Sequence, residues 1–92
     1  MKLKRKKIGD RSYQLVDTKT GEVIAHAAQT GEHGRDNYPW DWYLEDGVEW
    51  AEKKYPSGAT IRTGGSAESL KNIVDNVEST ATYFGLIIKE KP

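Results

Sequence analysis

Apolar and polar positions alternate with period two in residues 12–16 and 22–27. Tyr13 and Leu15 share one side of the first segment. Val23, Ala25 and Ala27 share one side of the second, with Gln14, Glu22 and His26 opposite. That period marks strands with one buried face. The residues between, Asp17, Thr18, Lys19, Thr20 and Gly21, are turn formers, so the two segments predict a hairpin. Residues 2–8 add a third strand turning at Gly9 and Asp10, and its lysines suit an edge or a frayed arm. Further on the period changes to 3.6. Leu70, Ile73, Val74, Val77, Ala81 and Phe84 form one apolar stripe, which predicts a helix over 66–84 with Ser66 as N-cap, Glu68 in the first turn and Gly85 as terminator. Leu86, Ile87 and Ile88 are β-prone and are expected to return to the sheet edge.

The middle of the chain is more ambiguous. Residues 31–39 read as a loop, and Pro39 forces Tyr38 towards extended geometry. In 40–45 the alternation puts Trp40, Trp42 and Leu44 on one side and Asp41, Tyr43 and Glu45 on the other. Asp46 and Gly47 form a favoured two-residue hairpin turn, so 48–51 is read as pairing back, with Trp50 opposite Tyr43. The rival reading is a short helix over 47–55, capped by Asp46, with Glu49 and Lys53 four residues apart. Residues 55–58 are a turn, 59–63 a short strand, and Gly64 with Gly65 a break.

A striped helix and one-sided strands solve each other's burial problem. The expected fold is therefore α+β: a twisted antiparallel sheet of three to five strands with one long C-terminal helix packed on one face, all in a single domain spanning 1–92. The other sheet face stays wet, and a partner would be met there. Hydrophobic content of 36% implies a small core, and the absence of cysteine excludes disulfides, thiolate metal clusters and a cysteine nucleophile. No apolar run is long enough to span a bilayer, and the basic start is not followed by an apolar stretch, so no membrane partner and a cytoplasmic location are expected.

Charge sums to zero but is uneven, with an excess of Lys and Arg in residues 1–35 and of Asp and Glu in 36–92. Between Asp36 and Glu52 lie six carboxylates, no Lys or Arg, and five of the nine aromatic rings. Tyr38, Trp40, Trp42, Tyr43 and Trp50, with Asp36, Asp41, Glu45 and Glu49, are the candidate contact residues for another protein with a basic surface. The plainer reading of Trp40, Trp42 and Leu44 is simply core. The alternative function is nucleic-acid binding led by Lys2, Lys4, Arg5, Lys6, Lys7 and Arg11 together with the open sheet face. No aromatics are interleaved with these cations to stack on bases. A free edge strand also offers homodimerisation.

Glu32, His33, Arg35 and Asp36 are the only concentration of catalytic side-chain types, and a glycine-rich polar loop supplies little desolvation to tune them. His26 and His33 lack any diagnostic metal-ligand spacing, so no catalytic residue, metal or cofactor is assigned. The expectation is a non-enzymatic binding or inhibitory module. Small, cysteine-free, catalytically empty domains are also typical of phage and mobile-element accessory proteins.

Two stretches, Tyr13-Gln14-Leu15 with Gly21-Glu22-Val23-Ile24-Ala25, and Gly65-Ser66-Ala67-Glu68-Ser69-Leu70 with Ile73 and Val77, resemble the YegP-like small proteins. That resemblance implies a ββα unit, covers about a third of the chain, and names no catalytic residue. The Trp-rich segment and the long helix depart from that pattern. A looser similarity is to the three-strand-plus-helix domains by which some integrases grip DNA. Those carry basic residues on the sheet where this chain has Asp41 and Glu45.

Overall fold

The computed structural model describes residues 1–30 and 39–89. In chain order the elements are β1 (Leu3–Gly9), β2 (Ser12–Asp17), β3 (Val23–Gln29), β4 (Trp40–Leu44), β5 (Val48–Trp50), β6 (Gly64–Ala67), α1 (Leu70–Phe84) and β7 (Leu86–Ile88). Strands β1, β2, β3, β4 and β6 form an antiparallel sheet in that order, and β5 pairs with β7 in a second, two-stranded sheet. The expected α+β class, with one C-terminal helix on an antiparallel sheet, is what the chain adopts.

The register explains which side chains go inside. Leu15, Ala25 and Leu44 are cross-strand neighbours, as are Tyr13, Ala27 and Trp42, so one face is apolar across three strands. Against it packs α1, whose Ile73 and Val77 are fully buried. Where β2 meets β3 the register shifts between Leu15 and Val16, and Ile24 falls between the paired positions Val23 and Ala25. Such a bulge breaks the alternation locally. Ile24 and Ala25 are accordingly both fully buried, although period two assigned them opposite faces.

Five expectations are corrected. Asp46 and Gly47 do turn the chain, but β5 leaves the main sheet, and Trp50 lies opposite Leu86 rather than Tyr43. That turn brings Val48 and Trp50 under the helix, where both are buried, and neither the β4–β5 hairpin nor a 47–55 helix forms. Residues 59–63 hold only an isolated bridge from Thr60 to Lys54, whereas Gly64 and Gly65, read as a break, open β6. The helix begins at Leu70 with Ser69 as N-cap, its Oγ accepting from Asn72 N–H, because Ser66 and Ala67 are engaged in pairing with β4. Leu86–Ile88 joins β5 in the second sheet instead of the edge of the first.

Gly64 has a steric reason. A Cβ there would sit 2.8 Å from the Trp42 carbonyl oxygen, so only glycine lets β6 run this close to β4.

Candidate functional site

Among the described residues no element packs on the face of the sheet turned away from α1. Alternation along paired strands places Lys6, Gln14, His26, Tyr43 and Gly64 in one row across it. A neighbouring row carries Ser12, Ala28, Asp41 and Ser66, and Lys4 lies on the same face of β1. The expected division of β4 holds: Trp40, Trp42 and Leu44 turn inward, while Asp41 and Tyr43 turn outward.

Tyr43 is the most exposed aromatic ring of this face, at 59% of its accessible surface, and it is not loose. Its ring stacks on that of His26, with centroids 5.0 Å apart and planes 20° from parallel. His26 Nε2 lies 2.9 Å from Glu45 Oε2, and Glu45 Oε1 accepts from the Asp46 N–H at 2.9 Å. The ring is therefore pre-positioned by an imidazole that is itself held by a carboxylate. Ser66 Oγ donates to Asp41 Oδ1 at 3.1 Å and steadies the second acid. The outcome is an ordered aromatic platform flanked by Asp41 and Glu45, with Lys4 and Lys6 on β1, three strands from Tyr43.

The remaining candidate residues are dispersed. Trp50 is 2% exposed and its Nε1–H donates to the Arg62 carbonyl at 2.8 Å, so it belongs to the interior and not to a partner-facing surface. Trp40 and Trp42 are half-buried against the core, Trp40 with its ring centroid 5.9 Å from that of Tyr13. Glu49 already holds two cations, Lys53 Nζ and Lys89 Nζ, each at 2.9 Å. The hydrogen bond from Lys53, then that from Lys89, holds its carboxyl below the ordinary range. Asp36 and Tyr38, like Glu32, His33 and Arg35, lie outside the described residues.

The basic arm is the edge strand β1. Lys4 and Lys6 share the open face, Arg5 and Lys7 point to the opposite side, and Lys2 and Arg11 stand exposed beyond the strand ends. Among the described residues none of these six cations makes an ion pair. Leu3, by contrast, is buried, and its N–H donates to Glu78 Oε2 at 2.8 Å, tying the start of the strand to the helix.

The sequence places His26 on a polar strand face and gives it no role. The signal for it was available: His26 and Tyr43 both lie on outward positions of β-prone segments, and stacking needs only that those segments pair. Among the described residues no group of three His, Asp or Glu side chains is placed to hold a metal, and no helix is long and apolar enough to cross a membrane. No protein-family model matches the chain, and no curated protein or solved structure matches it.

Proposed function

We propose that the protein is a non-enzymatic binding module that recognises another protein through the open sheet face, with Tyr43 at the centre of the contact. The observation that carries this is the Tyr43 ring, 59% exposed yet fixed by the His26 and Glu45 chain. A large amphipathic ring held in one orientation loses little entropy when covered, which is why Tyr is favoured at protein-binding hot spots. Asp41 beside it favours a partner bearing Lys or Arg at that point, and the side of the face near Lys4 and Lys6 favours an acidic one. An accessory or inhibitory role suits a surface of this kind.

Site-specific photocrosslinking tests the reading. A benzophenone side chain introduced at position 43 is expected to trap one protein from a cell lysate, in an adduct lost when Asp41→Lys is added. The same group at Thr82, on the solvent side of α1, is expected to trap none. Identical adducts at both positions, or none at 43, overturn the assignment.

One observation favours the nucleic-acid alternative: Lys4 and Lys6 lie on the same face as the Tyr43–His26 stack, an arrangement that suits backbone charge and base stacking together. It requires binding to a labelled oligonucleotide that weakens steeply with salt and disappears in Lys4→Glu/Lys6→Glu. Unchanged anisotropy at low salt removes it.

A further inference from the structure

A groove of about 480 Å³ opens on the other side of the molecule, between β6, the segment 55–62 and the helix. Its walls include Trp42, Tyr55, Arg62, Gly65, Asn76 and Thr80. The size is that of a small-molecule site. Two features distinguish it from an accidental crevice.

The first is convergence of donors. Gly65 has no side chain, and the point where its Cβ would sit lies 3.8 Å from both the Arg62 guanidinium nitrogen Nη1 and the Trp42 indole nitrogen Nε1. The glycine thus leaves open the space between a cation and a neutral N–H donor. Among the described residues Arg62 makes no ion pair, and the Trp42 indole N–H makes no hydrogen bond. Among the described residues no Asp or Glu lines the groove, so none of them neutralises the guanidinium.

The second is that the backbone beneath the guanidinium is held. The Arg62 carbonyl accepts from the buried Trp50 indole at 2.8 Å, and the adjacent Ile61 is buried, with its N–H on the Lys53 carbonyl. The Tyr55 N–H bonds to the Ala59 carbonyl, and the Tyr55 ring stands edge-on to Phe84 with centroids 5.4 Å apart. The wall opposite the helix is therefore a tied segment rather than a floating loop.

We infer that this groove binds a carboxylate, seated over Gly65 between the Arg62 guanidinium and the Trp42 indole N–H, with its organic body against the Trp42 and Tyr55 rings. One guanidinium and one neutral donor match a single negative charge, while the Asn76 amide adds a neutral donor. A phosphate dianion would be left half neutralised. Two sources carry the chemistry, a small aromatic acid and the free end of a polypeptide. β6 is the last strand of the main sheet, so a polypeptide end could also bond along its unpaired side. This inference does not rest on the open-face reading.

The test is a titration of the full chain followed by its three tryptophan indole N–H resonances. The probes are hippurate, its neutral amide, inorganic phosphate, and a hexapeptide with a free or an amidated C-terminus. Hippurate or the free hexapeptide is expected to move the Trp42 resonance saturably and leave that of Trp50, tied to the Arg62 carbonyl, in place. The matching amides are expected to bind at least about tenfold more weakly, a loss of one charge-assisted contact. Arg62→Gln is expected to lose about tenfold in affinity, and Asn76→Asp, which puts a carboxylate into the groove, several-fold. Both changes are on exposed side chains, and an unmoved Trp50 resonance certifies the fold. Tighter binding of the free hexapeptide than of hippurate assigns a polypeptide end, and the reverse assigns a small acid. Equal shifts from acid and amide, preference for phosphate, full binding by Arg62→Gln, or a Trp42 resonance unmoved at millimolar hippurate each overturn the inference. Tyr43→Ala leaves hippurate binding intact, so its outcome is independent of the open face.

Discussion

Replacing Trp50 by Phe separates the two roles of a residue whose composition-level reading was a surface contact. The side chain is 2% exposed and its indole N–H bonds to the Arg62 carbonyl at 2.8 Å. Phenylalanine keeps the six-membered ring but removes roughly three buried ring atoms, which at ~0.8 kcal/mol per methylene equivalent is about 2 kcal/mol. The lost hydrogen bond adds about 1 kcal/mol net. The sum, about 3 kcal/mol, is a large fraction of the roughly 5–14 kcal/mol expected for a domain of this length. It corresponds to a fall of about 12–24 °C in the unfolding midpoint. Urea and thermal unfolding followed by circular dichroism measure both quantities, with Tyr43→Ala as the exposed-ring control, expected to change stability by less than about 1 kcal/mol. A Trp50→Phe protein within about 0.5 kcal/mol of wild type, or one no worse than the control, would refute the argument that this indole organises the Arg62 segment.

Gly64→Ala drives a methyl group to 2.8 Å from the Trp42 carbonyl and is expected to destabilise by about 1–3 kcal/mol in urea unfolding, the range for overpacking. Ser69→Ala removes the acceptor of the Asn72 N–H and should lower stability by about 0.5–2 kcal/mol with faster exchange of that amide, whereas Ser66→Ala, which removes only the contact to Asp41, should leave that exchange unchanged. The Glu49 carboxyl titrates below its ordinary range because Lys53 and Lys89 hydrogen-bond its charged form. Its contribution is thus present above the unfolded-state value of about 4.3 and is lost as pH falls through the lower folded value. Carboxyl-carbon NMR of wild type should show the depressed titration, abolished towards the ordinary range by Lys53→Met together with Lys89→Met or by high salt. An ordinary titration in the wild type would contradict it.

The parts legible in the sequence were those whose cause is local. The hairpin of β2 and β3 is written in period-two alternation around a turn, α1 in its apolar stripe, and the inward set of β4 in Trp40, Trp42 and Leu44. The misread parts depend on distant partners. Val48–Trp50 becomes a strand because Leu86–Ile88 returns to it, and nothing near Asp46 and Gly47 signals whether the chain rejoins β4 or departs. Gly64–Ala67 has almost no side-chain preference for a strand; its conformation comes from backbone pairing with β4 at a spacing only glycine allows at Gly64. The same pairing moves the helix start from Ser66 to Ser69, two serines equally suited as caps in isolation. Of the candidate surface, Tyr43 with Asp41 was readable from alternation, whereas the burial of Trp50 and the convergence of Trp42 and Arg62 on Gly65 required the three-dimensional path.

The placement of β5 beside the final strand has a consequence for how the protein is made. Strands β1 to β4 pair in consecutive order, so this meander can form as soon as Leu44 has emerged from the ribosome. Trp50 has no strand to lie against until Ile88 has been translated. The indole therefore stays uncovered after the meander has formed and until the C-terminal strand is free to pair, and that interval, more than any weakness of the finished molecule, is when chaperones or neighbouring chains gain access to it.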